Sequence, residues 1–204
     1  MHRFDAGFRK KYPALAGIAK AGRGPLAGPL IAAAVMFPEM AVLREVNDSK
    51  QLSDSKRRRL FAEIIQESLR YSTGIVQPSE IDNTGMTEAV RLSFTRASEA
   101  LGGNPDIYLI DGLPLKNLNL PAEFVVKGDS KSLSIAAASI IAKVTRDDIM
   151  LSADRKYPGY GFASNKGYGT KDHMAAIRKL GPSPIHRMSF APMKNDNQFR
   201  FNFE

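Results

Sequence analysis

Between two apolar runs, Leu15 to Ile18 and Leu30 to Met36, the eight residues from Gly22 to Pro29 contain three glycines and two prolines. That stretch limits the fold more than any other. Each apolar run has the length and composition of a buried strand, and the glycines and prolines make a rigid turn that brings backbones close. Arg23 carries the turn's one permanent charge, and a guanidinium among bare amides suits a phosphate or a sugar. A tight strand connection with an incidental arginine accounts for the turn equally well. Two glycine-rich nucleotide motifs do not fit it. A phosphate-cradling loop would end in Gly-Lys-Ser/Thr, but Pro29 and Leu30 follow Gly28. A dinucleotide fingerprint would open a helix, where this chain opens a second strand.

The remaining elements follow from periodicity. A helix is expected from Asp54 to Leu69, with Leu60, Ile64, Ile65 and Leu69 on its core face and Lys56-Arg57-Arg58-Arg59 in its first turn. Tyr71 to Val76 reads as a strand, Pro78 to Ile81 as a helical entry, and Met86 to Leu101 as an amphipathic helix. Ile107 to Ile110 is a buried strand ending in Asp111-Gly112. A carboxylate there is a common catalytic placement in α/β folds, and a turn aspartate is the simpler alternative. A short strand, Glu123 to Val126, leads into Lys127-Gly128-Asp129-Ser130, and an alanine-rich helix runs from about Ser134 to Asp154 with Lys143 and Asp147 one turn apart. Gly161 to Thr170 reads as a mobile polar loop carrying Tyr168, a turn plug or a platform for a base or sugar. Thr170 caps a last helix to about Leu180. His186 is expected in a structural hydrogen bond, since no second histidine lies at ligand spacing.

Composition narrows the chemistry. Cys 0 excludes disulfides and thiolate sites, and His 3 leaves carboxylates as the main metal ligands, which favours magnesium or manganese over zinc. The net charge of +8 implies an anionic partner, with nucleic acid the first candidate. The apolar run from Leu30 to Phe37 is far too short to span a membrane, and the N-terminal residues, with Asp5 and Arg9-Lys10-Lys11, lack the pattern of a secretory leader. The expected chain is a cytoplasmic single domain over 1–204, with a polar tail at 193–204. Nothing demands more than a monomer.

Taken together, Ala21-Gly22-Arg23-Gly24-Pro25-Leu26-Ala27-Gly28-Pro29, Asn47-Asp48-Ser49-Lys50, Ile110-Asp111-Gly112, Lys127-Gly128-Asp129-Ser130, Ala142-Lys143-Val144-Thr145-Arg146-Asp147, Asn165-Lys166-Gly167-Tyr168 and His186-Arg187 with Ser189-Phe190 resemble ribonuclease HII in order and spacing, from about Leu15 to Pro192. The resemblance implies an α/β chain with the ribonuclease H-like fold: a mixed central sheet flanked by helices, with a small helical C-terminal portion. It implies an endonuclease acting on RNA–DNA hybrids and 5′ of single ribonucleotides embedded in duplex DNA. By the same resemblance, Asp111 and Asp129 are catalytic metal ligands for Mg²⁺ or Mn²⁺, and Asp147 is supporting structure. Gly22, Arg23 and Gly24 would surround the ribonucleotide 2′-OH, and Tyr168 would pack on the sugar that follows. Lys50 and Arg187 would contact the nucleic-acid backbone, and the Gln198-to-Phe203 tail could bind a sliding clamp.

The chain departs from the family at its first two ligands. Where the family has Asp-Glu before Ala-Gly-Arg-Gly, this chain has Ala19 and Lys20, neither of which binds a hard cation. A site meant to hold four carboxylates keeps two and gains an ammonium. Divalent metal is therefore expected to bind weakly, and the chain to be a recognition scaffold that cuts poorly or not at all. An active endonuclease with a rearranged site around Asp111 and Asp129 is the alternative, and a basic nucleic-acid-binding module without hydrolytic ancestry is a third reading.

Overall fold

The computed structural model describes residues 1–41, 43, 45, 46, 49 and 52–195. The expected clamp-binding residues of the tail, and Lys50, lie outside them. The elements run α1 (His2–Arg9), β1 (Leu15–Ala21), β2 (Leu30–Met36), α2 (Asp54–Glu67), β3 (Arg70–Val76), α3 (Pro78–Thr84), α4 (Met86–Leu101), β4 (Ile107–Asp111), β5 (Ala122–Val125), α5 (Leu133–Lys156), α6 (Phe162–Asn165) and α7 (Lys171–Leu180). The strands form one sheet in the order β3-β2-β1-β4-β5. The eight-residue connection makes β1 and β2 antiparallel, while β4 returns through α3 and α4 to lie parallel to β1, and β5 lies parallel to β4. Among the described residues no helix is long and apolar enough to cross a membrane.

Alternation along β1 divides the interior. Leu15 and Ala19 join Ile31, Ala33 and Val35 beneath α5, and Ala16 and Ile18 join Leu30, Ala32 and Ala34 beneath α4. A third apolar cluster, Ala27, Met150, Ala153, Tyr160, Phe162, Ile177 and Met193, seats α6 and α7 against the C-terminal half of α5 and the glycine turn. Helix α5 lies close on β1 because residue 17 has no side chain. A Cβ on Gly17 would fall 2.2 Å from the Ser134 carbonyl carbon and 2.5 Å from the Ile135 nitrogen. These are backbone atoms near the capped start of a 24-residue helix, and they cannot swing aside. Gly17→Ala is therefore expected to cost about 3 kcal/mol, read as a lower denaturant midpoint; a cost within measurement error would mean the helix is free to lift.

Three expectations are corrected. The first strand extends past Ile18 to Ala21, because Ala19, Lys20 and Ala21 pair with Ala33, Ala32 and Ile31. Leu69 is 59% exposed: α2 stops at Glu67, Ser68 is extended (φ −80, ψ 140), and Leu69 leaves the helical stripe to hydrogen-bond Met36. The stretch from Gly161 to Thr170 is anchored rather than loose. Phe162 is fully buried, and the Gly167 carbonyl accepts the Leu26 amide at 2.8 Å.

Candidate functional site

Three parallel strands, β1, β4 and β5, deliver their C-terminal ends to one edge of the sheet. Ile18 is opposite Ile110 and Asp111 opposite Val125, so continuing the register sets Ala19 beside Asp111. Asp111 accepts a 3.0 Å hydrogen bond from the Gly128 amide through Oδ1, and Asp129 follows in a single 3₁₀ turn, 128–130. Gly128 is pressed against α5: a Cβ there would meet Ile135 Cδ1 at 2.6 Å. The edge thus brings Asp111 and Asp129 to neighbouring positions.

Residues 19 and 20 point to opposite faces of the sheet. Ala19 is 1% exposed under α5. Lys20 emerges on the α4 side, with Nζ 3.5 Å from the Asp111 carbonyl and 5.5 Å from the Phe94 ring centre, a cation–π distance. It lines an open groove of about 380 Å³ together with Arg23, Met86, Phe94, Asp111 and Leu115. These donors do not suit a pair of divalent ions. Ala19 and Lys20 offer a methyl and an amine, and among the described residues no three acidic or imidazole side chains gather around a metal position.

The glycine turn is held from its inner side by two buried arginines. Arg146 donates through Nε to the Pro29 carbonyl, through Nη1 to Lys166 and through Nη2 to Ala27, at 2.9–3.0 Å. Arg187 donates through Nε to Gly28, through Nη1 to Arg23, and through Nη2 to Gly22 and Gly28. Gly22 (φ +92) has no room for a Cβ, which would lie 2.3 Å from Arg146 Nε. Burial, and then the neighbouring Arg146, push the Arg187 guanidinium down to about 9, so it remains a cation at neutral pH. The resemblance places Arg187 at the nucleic-acid backbone. Its side chain is fully buried and shapes the turn instead of touching solvent.

With those carbonyls drawn inward, the outer face of the turn belongs to Arg23 and Gly24. Both are exposed, and among the described residues neither backbone amide has a protein acceptor. Tyr168, 47% exposed, sets its Cε1 3.9 Å from where a Gly24 Cβ would be. Arg23, Gly24 and Tyr168 therefore share one surface beside the groove. The basic run opening α2 lies in ion pairs and hydrogen bonds: Lys56 and Arg59 pair with Glu45, Arg58 with Asp54 and Asp148, and Arg57 donates to the Ser49 carbonyl. Asp147 is buried in a 2.6 Å ion pair with Lys143.

His186 does make a structural hydrogen bond, and its partner is a residue that sequence spacing does not reveal. His173, thirteen positions earlier on α7, meets it at 3.0 Å between Nε2 atoms. Both rings are buried. Desolvation, and then the adjoining His173, lower His186 to about 4, and desolvation also lowers His173.

Comparison with known proteins bears on all of this geometry. The family model described as Ribonuclease HII matches residues 16–193. A ribonuclease HII of Desulfitobacterium hafniense (strain Y51) is 49% identical over 183 residues, which cover 90% of this chain and 70% of that protein. The crystal structure of the ribonuclease H2 from Pyrococcus horikoshii OT3 superposes with a TM-score of 0.78 at 29% identity, covering 92% of this chain and 99% of that one. The RNase HII of Archaeoglobus fulgidus, solved in complex with PCNA, superposes with a TM-score of 0.71 at 26% identity over 86% of this chain and 94% of that one.

Proposed function

The chain belongs to the ribonuclease HII family of endonucleases, and from that premise we propose that it recognises RNA–DNA hybrids and single ribonucleotides in duplex DNA while leaving the phosphodiester uncut or nearly so. Family membership removes the reading of an unrelated basic module. The observation that carries the proposal is the pairing of an intact reading surface with an incomplete acidic edge. Arg23 and Gly24 keep exposed amides beside Tyr168, whereas Ala19 and Lys20 stand next to Asp111.

Each part has a chemical task. The free amides of Arg23 and Gly24 suit a sugar hydroxyl, the group that separates RNA from DNA, and the exposed guanidinium of Arg23 suits the adjoining phosphate. The Tyr168 ring offers an apolar face to the next sugar. Family enzymes hydrolyse with divalent metals, which supply an activated water and steady the leaving oxygen. At the edge of this sheet, Lys20 brings an amine in place of a carboxylate, and its formal charge suits a phosphate in the groove.

The test compares binding of the unaltered chain to two duplexes that differ by one ribonucleotide. Tighter binding to the ribonucleotide duplex is expected, and Arg23→Ala, which keeps the backbone amide and removes the phosphate contact, is expected to weaken binding to both duplexes about tenfold, the value of one charge-assisted hydrogen bond. Equal affinity of the unaltered chain for both duplexes would sink the reading.

A further inference from the structure

Tyr168 is held from behind by hydrogen bonds whose direction can be worked out atom by atom. Its carbonyl only accepts, so Nδ1 of His173, 2.8 Å away, carries the proton. Neutral His173 then has a bare Nε2, and the 3.0 Å contact with Nε2 of His186 closes only if His186 donates. Nδ1 of His186 is therefore bare, and it accepts the Ser183 amide and hydroxyl, both at 2.8 Å. Burial lowers both rings, so these neutral tautomers are the ones present at neutral pH. The chain of bonds runs one way from Ser183 to Tyr168.

Its two ends belong to separate segments that grip the same residue of the glycine turn. The Leu26 amide donates to the Gly167 carbonyl at 2.8 Å, and the Leu26 carbonyl accepts from the Arg187 amide at 2.8 Å. The imidazole pair joins these segments directly. The Thr170 amide also reaches the Tyr168 carbonyl at 2.8 Å, so the turn exists without His173, and what the imidazole sets is the direction in which that carbonyl points. Sterics leave little freedom elsewhere, since a Cβ on Gly167 would meet the Ala27 carbonyl at 2.3 Å.

We propose that His173 and His186 are positioning residues for Tyr168, setting its ring over the glycine turn and thereby the preference for deoxyribose over ribose at the sugar on which it packs. The inference rests on the reading of Tyr168 as the residue that packs on the sugar. Neither imidazole reaches solvent or nucleic acid, so both act only through the carbonyl they orient.

Three variants and one spectrum test it, with the affinity ratio for a duplex whose ribonucleotide is followed by deoxyribose over one whose ribonucleotide is followed by a second ribose as the readout. His173→Leu is expected to lower the ratio about fivefold, the factor for one neutral hydrogen bond. His173→Asn, whose amide nitrogen takes the place of Nδ1, is expected to keep the ratio. Equal losses in His173→Leu and His173→Asn would reduce the pair to packing and overturn the proposal, as would an undiminished ratio in His173→Leu. If Tyr168→Ala leaves the ratio unchanged, the reading of Tyr168 fails and the inference falls with it; if Tyr168→Ala lowers the ratio and His173→Leu does not, only the inference falls. The imidazole ¹⁵N spectrum of the unaltered chain needs no variant to fold. It is expected to show the Nδ1–H tautomer for His173 and the Nε2–H tautomer for His186, and the reverse assignment would overturn the proposal.

Discussion

Replacing Ala19 and Lys20 at once, Ala19→Asp with Lys20→Glu, is expected to produce ribonucleotide-dependent cutting in Mg²⁺ or Mn²⁺, at least about a thousandfold faster than the unaltered chain. The magnitude follows from charge. A unit pair at 4 Å in an effective dielectric near 20 is worth about 4 kcal/mol, and each factor of ten in rate takes about 1.4 kcal/mol. The double change restores two such attractions to a divalent ion and removes one repulsion. Geometry favours the result, since residue 19 follows Ile18 in register with Ile110 and so flanks Asp111. There is a second signature. Position 19 is 1% exposed among apolar side chains, so a carboxylate there is costly unless a cation meets it. The double variant should melt below the unaltered chain in chelator and recover when Mg²⁺ is added, because a ligand that binds only the folded state stabilises it. Comparable cutting by the two proteins would show that Asp111 and Asp129 suffice in a rearranged site.

Arg187→Ala should destabilise the protein by about 3–5 kcal/mol, seen as a fall in the urea midpoint with the slope unchanged. The guanidinium is fully buried and serves the carbonyls of Gly22, Arg23 and Gly28. Its removal leaves those acceptors without donors, at about 1–3 kcal/mol each, and opens a cavity beside them. Arg187→Lys should recover only part of the loss, because an ammonium cannot reproduce the planar fork that spans three carbonyls. Arg23→Ala supplies the contrast. It lies on the same turn but is exposed, and should leave stability within about 0.5 kcal/mol. A loss below about 1 kcal/mol in Arg187→Ala would mean that Arg146 alone holds the turn.

How much of this is legible in the chain depends on whether the signal is local. Strand β2 is read to the residue because Pro29 and Pro38 bracket a continuous apolar run. The strand before it is read short, because Lys20 breaks the apolar pattern although its backbone remains in the ladder. Leu69 keeps helical spacing, but the helix ends two residues earlier, and periodicity alone does not register an extended Ser68. Phe162 hides in a polar, glycine-rich stretch in which it is the one large buried side chain. The acidic pair is named through the family resemblance alone, since Asp111 at a strand end also reads as a turn residue and Asp129 lies in a short polar turn. The roles of Arg187 and His173 are not, since both depend on partners brought together by packing of the C-terminal helices and turns. Arginine is seldom fully buried, so residue type alone argues for the surface.

The order in which the ribosome delivers these parts has a consequence. The turn spanning 22–29 leaves the exit tunnel early, yet Arg146 reaches its carbonyls across as many as 119 positions and Arg187 across 165. A nascent chain can complete all five strands before either guanidinium arrives. The turn at 22–29 is therefore braced last, and a product truncated before residue 187 would carry the sheet with that turn unbraced.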